Sequence, residues 1–188
     1  MTSTTATQPV DNGFNIDAVL GAREAMTAMP AAAAFKWRAS NEWVNGTHSR
    51  TTYNTYFGAG EEQAHRQPYT IDADHPELFA AEDNGATPAE IALGALASCL
   101  TGGIAAVATN RGINVRSVTA HVEADMDIQG ILGIDPEVRN GFSSVRVTYE
   151  IDGDATHEEL QSVVAQSQKR SAVFDVFSNP TAVTVELA

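Results

Sequence analysis

Residues 87–112, TPAEIALGALASCLTGGIAAVATNRG, decide the fold of this chain. Thr87 is a favoured N-cap residue, the proline that follows suits the first helical position, and Glu90 completes a capping box. The next twenty residues carry no charge, and Gly112 then supplies a typical stop signal. The stretch therefore predicts one long apolar helix, and this helix carries the only cysteine of the chain, Cys99.

A helix of this length without a charge is also long enough to cross a membrane. However, Ser98, Thr101 and Asn110 interrupt it, and it is rich in Ala and Gly rather than in Leu and Ile. No cluster of Lys and Arg flanks it in the way that is typical of a membrane span. We therefore expect no membrane association, and a fully buried central helix whose small residues let neighbours pack closely on most faces.

The composition limits the classes of protein to which the chain can belong. Its 188 residues suffice for one domain with an additional N-terminal segment. The 24 acidic residues exceed the 11 basic ones, and a net charge of −13 without a basic cluster argues against nucleic-acid binding. A single cysteine excludes an intramolecular disulfide and a cysteine-rich zinc site. Residues 1–10 lack the charged and apolar segments of a secretory signal, which predicts a cytoplasmic location.

Alternating apolar and polar residues predict strands on both sides of the long helix. The dipeptide Asn45-Gly46 is a strong signal for a two-residue hairpin turn between the first two strands. Strands are predicted in two runs between Phe35 and Phe57, in a short run from Pro68 to Ala73, and around Val118–Ile128, Val145–Ile151 and Val183–Leu187.

Three shorter helices are predicted as well. One covers residues 15–29, a second follows the capping box of Thr156 and Glu159, and Ser171 caps a third, short helix. The order of elements predicts an α+β fold. We expect residues 1–34 to form an N-terminal tail and short helix, of which the first dozen residues are flexible, and residues 35–188 to form the main domain.

This order, together with the motif GALASCL at residues 94–100 and SNP at residues 178–180, resembles the OsmC/Ohr family of osmotically induced and organic-hydroperoxide-resistance proteins. The resemblance runs from about Phe35 to Ala188. It implies an OsmC-like fold, with antiparallel strands packed around a long central helix in a swapped homodimer that has its sites at the subunit interface. In peroxidatic members, a cysteine thiolate attacks the hydroperoxide, a second cysteine resolves the sulfenic acid, and an Arg and a Glu assist.

The chain departs from this pattern at three points. Ser171 stands where the second cysteine is expected, so that an external thiol would have to reduce Cys99. Glu90 comes one residue later than the family's glutamate, about 180° around the helix from Cys99, which favours a capping role over a catalytic one. Residues 74–85, where some relatives carry the assisting arginine, contain no arginine. Arg38 and Arg50 are the candidates that remain in the hairpin, and we prefer Arg50, although Arg50 is equally well interpreted as an exposed strand residue without a catalytic role.

Two functions therefore remain open. Cys99 lies about three turns inside the helix, beyond the reach of the helix dipole, so only a nearby cation would activate its thiol. In the first hypothesis Cys99 and an external thiol reduce organic hydroperoxides. In the second, Cys99 is an inert core residue of a non-peroxidatic protein that binds a small apolar or thiol-containing ligand at the dimer interface.

Other candidate sites are weaker. Four residues that bind metals in other proteins share one strand face, but strand positions this far apart spread over about 13 Å, which favours a solvated acidic face over a metal site. These residues are His121, Glu123, Asp125 and Asp127. The chain has no Gly-rich phosphate loop and no dinucleotide fingerprint, so we expect neither a cofactor nor a metal.

Overall fold

The computed structural model describes residues 10–187. Within them the chain has an α+β architecture with a three-stranded and a two-stranded antiparallel sheet, as predicted. The elements are, in chain order, α1 (Ile16–Ala28), β1 (Ser40–Asn45), β2 (His48–Gly58), β3 (Glu61–Ala73), α2 (Pro88–Asn110), β4 (Val115–Asp125), β5 (Ser144–Gly153), α3 (His157–Arg170) and α4 (Ala172–Ser178).

The described residues divide into two compact units, one of residues 15–92 and one of residues 10–14 with 93–187. Helix α2 begins in the first unit and continues in the second. The predicted boundary between residues 34 and 35 stays a prediction.

The first unit contains α1 and the meander β1-β2-β3. The side chain of Asn15 accepts a hydrogen bond from Ala18 N–H and so caps α1, which confirms the predicted helix. Strands β1 and β2 pair with Glu42 opposite Arg50, and the predicted turn joins them, with Gly46 at a φ of 54°. Glycine is favoured there because this left-handed conformation costs it little.

Strand β3 is longer than predicted, since it begins at Glu61 rather than at Pro68. Ala59 and Gly60 have positive φ values of 54° and 88° and turn the chain directly after β2. A non-glycine residue is uncommon in this conformation, so the sequence indicates the turn only weakly. The register shifts after Tyr53, opposite the stretch that holds Pro68, which cannot donate to a strand ladder.

Residues 74–85 were predicted as a connecting loop, and a buried carboxylate organises it. Asp74 is 1% exposed and accepts hydrogen bonds from the Thr47 hydroxyl at 2.5 Å and from the backbone N–H groups of His75 and Asn84 at 2.8 and 3.0 Å. These hydrogen bonds hold the pKa of Asp74 far below its usual range, the Thr47 contact contributing most.

The second unit packs β4, β5 and α3 around α2. Its core consists of Ile104, Ala108, Ile113 and Val163. Both predicted strands and the predicted capping box of α3 are present, with Thr156 and Glu159 bonding each other's backbone N–H groups.

Helices α2 and α3 approach each other closely at Gly103. The Ser167 hydroxyl, which is buried, donates to the Leu100 carbonyl oxygen at 2.6 Å. A Cβ at position 103 would lie 2.3 Å from Ser167 Oγ, so only glycine fits this crossing without a shift. The contact holds α3 against α2 at the residue that follows Cys99.

The prediction that α2 is buried on most faces is wrong for a single chain. Only Leu96, Leu100, Ile104 and the two residues before its end are buried, whereas Gly94, Ser98 and Gly102 are exposed. The reason is that one chain supplies neighbours to only one stripe of the helix. By length and composition α2 could also cross a membrane, a property that core helices of globular proteins share.

The predicted final strand is also absent from the described residues. After α4 the chain is extended but pairs with no strand, and Val183, Val185 and Leu187 are at least 80% exposed. A strand needs a hydrogen-bonding neighbour, and a single chain does not provide one for this segment.

The predicted flexible tail lies mostly outside the described residues, but its last residue is anchored. The Asn12 side chain donates to Thr109 Oγ1 and to the Ile113 carbonyl at 3.1 and 2.9 Å, and it accepts from Val115 N–H at 2.9 Å. Asn12 therefore ties the chain before α1 to the end of α2.

Candidate functional site

Cys99 and Ser171 meet in the second unit. The Ser171 hydroxyl donates to Cys99 Sγ at an O···S distance of 3.1 Å, although 72 positions separate the two residues in the sequence. Cys99 is half-buried and Ser171 is 6% exposed. The thiol therefore has a buried hydroxyl donor as its direct neighbour.

The junction between α3 and α4 places this hydroxyl. Ser171 is the N-cap of α4, as predicted, and its Oγ accepts a hydrogen bond from Phe174 N–H at 3.1 Å. The same oxygen can therefore accept from the helix and donate to sulfur, which fixes its orientation. A hydroxyl held in this way can donate to a thiolate and to the oxidised sulfur that forms from it.

Tyr149 on β5 brings a second hydroxyl to this region. Its OH lies 3.5 Å from the Ala97 carbonyl oxygen, within the first turns of α2. Burial raises the pKa of Tyr149; the Thr101 side chain opposes this effect and the neighbouring Cys99 adds to it. The phenol is therefore protonated at neutral pH.

A cavity of about 720 Å³ adjoins this group. Its walls come from α2, β5, α3, α4 and the loop before β5, and they are mostly apolar. Leu96 and Leu100, which flank Cys99 along α2, line the cavity together with Tyr149, whereas Cys99 itself does not. The volume lies within the range of about 300–1,000 Å³ that is typical of small-molecule sites.

The other predicted site residues lie in the first unit and have partners of their own. Arg50 donates to Asp72 Oδ1 at 3.0 Å and is largely exposed. Arg38 pairs with Glu62 at 2.5 Å. The Glu90 carboxylate accepts from the backbone N–H of the cap residue Thr87 at 2.8 Å, a contact that also lowers the pKa of Glu90. Glu90 thus has the predicted capping contacts.

Arg146 contacts two carboxylates of the acidic face of β4. It contacts Asp125 Oδ2 at 2.7 Å and Glu123 Oε2 at 3.6 Å, and it lowers the pKa of Asp125 to about 2. His121 lies 3.8 Å from Glu150. Within residues 10–187 no three His, Cys, Asp or Glu side chains are grouped so that they could hold a metal ion.

A comparison with known families decides the identity of the chain. The model of the family described as OsmC-like protein matches residues 81–186, which is more than half of the sequence and includes Cys99, Tyr149 and Ser171. The chain belongs to the OsmC-like protein family. No curated protein matches this OsmC-like protein in sequence.

Solved structures of OsmC-like proteins have the same fold. The OsmC-like protein of Mycoplasma pneumoniae is similar at a TM-score of 0.55 and 16% identity, over 76% of this chain and 86% of that one. An organic hydroperoxide resistance protein, OsmC, from Legionella pneumophila is similar at 0.52 and 15%, over 76% and 90%. An OsmC-like protein of unknown function from Vibrio cholerae gives 0.54 and 12%, over 75% and 92%. At these identities the similarity shows the fold alone.

Sequence reasoning found Cys99 and Ser171 but missed the cavity of this OsmC-like protein. Arg139 is the one charged residue among those that line it, and Tyr149, four serines and Gln168 supply its other polar side chains. A signal for Tyr149 was present, because the alternation of β5 places it on the same face as Val145 and Val147. Arg139 lies in an irregular loop, where no periodicity predicts the direction of a side chain.

Proposed function

We propose that this OsmC-like protein is a thiol-dependent reductase of organic hydroperoxides, with Cys99 as the reacting residue and an external thiol as the reductant. The observation that carries the proposal is the hydrogen bond from Ser171 to Cys99 Sγ. It places a hydroxyl beside the sulfur, at the position where the resemblance puts a resolving cysteine. Membership of the OsmC-like family and the fold shared with a hydroperoxide resistance protein support the proposal.

In this reaction the Cys99 thiolate attacks the outer oxygen of the hydroperoxide. An S–O bond forms, the O–O bond breaks, and the alkoxide takes up a proton and leaves as an alcohol. Sulfur is oxidised by two electrons to a sulfenic acid, while the hydroperoxide is reduced. The Ser171 hydroxyl donates to the sulfur, and Tyr149 can supply the proton to the alkoxide.

An external thiol then completes the cycle, because Ser171 cannot form a disulfide. One thiol molecule attacks the sulfenic sulfur, and water leaves as a mixed disulfide forms. A second thiol molecule attacks the mixed disulfide, which releases Cys99 and the oxidised reductant. The structure favours an exchange of this kind, since Cys99 is half-buried rather than enclosed.

Turnover of cumene hydroperoxide by the purified protein with dithiothreitol tests this proposal. We expect thiol-dependent consumption that is lost in Cys99→Ser and lowered in Ser171→Ala, which lacks the donor to sulfur. Ser117→Ala is the control, since it removes an exposed hydroxyl of β4 in the same unit and should leave the rate unchanged. A Cys99→Ser variant with the full wild-type rate would exclude the proposed chemistry.

The cavity favours a second candidate function, the binding of a small apolar molecule without peroxide chemistry. Its wall holds the two leucines beside Cys99 but not the thiol itself. Binding would then persist in Cys99→Ser, and cumene hydroperoxide would leave the wild-type thiol unmodified.

We also propose that the protein is a homodimer. The exposed face of α2 offers Gly94, Ser98 and Gly102, small residues that let a second helix approach closely. The extended C-terminal segment exposes Val183 and Leu187, an apolar alternation that pairing with a strand of a second chain would cover. A swapped arrangement would account for both features at once.

Sedimentation equilibrium of the Gly102→Leu variant tests the dimer. Gly102 has no neighbour within 4 Å in the single chain, so a leucine leaves the monomer intact but would obstruct a partner helix. Gly21→Leu on α1 is the matched control, because Gly21 is an equally open helical glycine. We expect the wild type and Gly21→Leu to be dimers and Gly102→Leu to dissociate. A monomeric wild type would contradict the proposal.

A further inference from the structure

We propose that Asn140 is a site of spontaneous deamidation, at which the chain converts one of its own asparagines into aspartate and isoaspartate at the edge of the cavity in the second unit. The proposal does not depend on a reactive Cys99. Four asparagines of the chain are followed by glycine, namely Asn12, Asn45, Asn84 and Asn140. The structure restrains the first three of these dipeptides but not the fourth.

An asparagine that precedes a glycine reacts with no partner other than water. The backbone nitrogen of the glycine attacks the side-chain Cγ, a C–N bond forms, and the bond from Cγ to the amide nitrogen breaks. Ammonia leaves with the proton of the glycine N–H, and a succinimide ring remains. Water then opens the ring at either carbonyl group, which gives aspartate or isoaspartate. Glycine favours the attack because it has no Cβ that would obstruct it.

Hydrogen bonds restrain the dipeptide of Asn12. Its Nδ2 donates to Thr109 Oγ1 and to the Ile113 carbonyl oxygen at 3.1 and 2.9 Å. The attacking group is engaged as well, because Gly13 N–H donates to Asp11 Oδ1 at 2.8 Å. Cyclisation at Asn12 must first break these contacts, so we expect it to be slow.

The buried carboxylate of Asp74 restrains the dipeptide of Asn84. Asn84 Nδ2 donates to Asp74 Oδ2 at 2.9 Å. Gly85 lies against the backbone of β3, since a Cβ at this position would be 2.4 Å from the Asp72 carbonyl oxygen. The reaction would also place a second carboxylate next to Asp74, which opposes it further.

The hairpin turn restrains the dipeptide of Asn45. Asn45 is the last residue of β1 and pairs with His48 across the turn. Trp43 Nε1 donates to the Gly46 carbonyl oxygen at 3.0 Å. The backbone rotation that brings the glycine nitrogen to Cγ of Asn45 would disturb both contacts.

The dipeptide of Asn140 has no such restraint. Asn140 is exposed and lies in the loop between β4 and β5, outside the helices and strands. Among residues 10–187, neither its side-chain amide nor Gly141 N–H has a hydrogen-bonding partner. Asn140 Oδ1 lies over Gly130, where a Cβ would be 2.7 Å away, so this glycine leaves room for the amide.

A cation lies next to the reacting atoms. A Cβ at Gly141 would lie 3.4 Å from Nε and 3.7 Å from Nη2 of Arg139. A guanidinium at this position stabilises the negative charge that develops on the attacked amide, and afterwards the new carboxylate. Because Arg139 and Gly141 both line the cavity, the reaction adds a negative charge at its edge.

Incubation of the purified protein in neutral buffer, followed by digestion with pepsin at acidic pH and mass spectrometry, tests the inference. We expect Asn140 to convert about tenfold faster than Asn12 and Asn84, the scale of the hydrogen bonds that these two must break. Asn45 should also convert more slowly than Asn140. The same incubation in urea is the matched control, since all four sites should convert at similar rates once the fold is lost.

Two variants examine the mechanism at this site. Gly141→Ala should slow the conversion of Asn140 and leave the other three sites unchanged, because it adds a Cβ to the attacking residue. Arg139→Gln should slow it about twofold to fivefold, the scale of one exposed ion pair. Cys99→Ser should convert like the wild type, which separates this inference from the proposed reduction of hydroperoxides.

The comparison of the folded with the unfolded protein also provides the refutation. If Asn140 of the folded protein converted no faster than Asn12 and Asn84, the inference would be overturned. Conversion of Asn140 in urea but not in the folded protein would overturn it too, because the fold would then protect this site like the others.

Discussion

Replacing Ser171 by cysteine should create an intramolecular disulfide with Cys99. The atoms Ser171 Oγ and Cys99 Sγ lie 3.1 Å apart, so a sulfur at position 171 needs only a small adjustment to bond. The bridge would close a loop across 72 positions, and loop-closure entropy then gives about 4 kcal/mol of stabilisation. Losing the hydroxyl cap of α4 costs about 1 kcal/mol, which leaves a net gain of about 3 kcal/mol in the oxidised form.

Urea denaturation of oxidised and reduced Ser171→Cys measures this gain. Non-reducing electrophoresis and intact mass would show that the bridge lies within one chain. The control is Ser171→Cys combined with Cys99→Ser, which loses the cap but cannot form the bridge, and which should be about 1 kcal/mol less stable than Cys99→Ser alone. Two free thiols after treatment with an oxidant would refute the placement of Ser171 against Cys99.

Three further predictions follow from individual contacts. Gly103→Ala should destabilise the protein by about 2 kcal/mol in urea denaturation, because the new Cβ displaces Ser167 from the Leu100 carbonyl. The control Gly21→Ala should be neutral or stabilising, because Gly21 has open space around it. Asp74→Asn should cost about 2–3 kcal/mol, since an amide satisfies fewer of the donors around this buried position. Because folding lowers the pKa of Asp74, the contribution of this carboxylate to the free energy of unfolding should be complete at neutral pH and be lost as the pH falls below about 4. If the wild type and Asp74→Asn lost stability in parallel on acidification, this prediction would be contradicted. Tyr149→Phe should lower turnover of cumene hydroperoxide without changing the fold, as circular dichroism would check, because it removes the protonated hydroxyl near Cys99.

Local signals in the sequence predicted most of the helices and strands. Capping boxes at Thr87 and Thr156 and the turn at Gly46 correspond to the observed element ends. These signals are reliable because each depends on residues within a few positions of one another. The turn at Ala59 and the length of β3 were missed, since alanine rarely adopts a left-handed conformation.

Two features that depend on contacts between distant residues, the final strand and the burial of α2, were predicted less well. The final strand from Val183 to Leu187 has the correct alternation but no neighbour within one chain. The burial of α2 was overestimated for the same reason, since hydrophobicity alone does not tell which neighbour covers a helix.

For the site, the family resemblance identified Cys99 and the substitution at Ser171, and the structure adds that the two side chains touch. The sequence did not predict that Arg139 lines the cavity, because its position there depends on the fold of an irregular loop. Arg50 was preferred as the activating cation, a choice that stays a prediction, and its observed partner is Asp72.

The state of Cys99 after a single turnover tests the proposed function most directly. The reduced protein would be mixed with one equivalent of cumene hydroperoxide in the absence of thiol, trapped with dimedone, and analysed by mass spectrometry. We predict one dimedone adduct per chain, located on Cys99, and its complete loss when dithiothreitol is added before the trap. A thiol that stays unmodified while the hydroperoxide remains in solution would contradict the account.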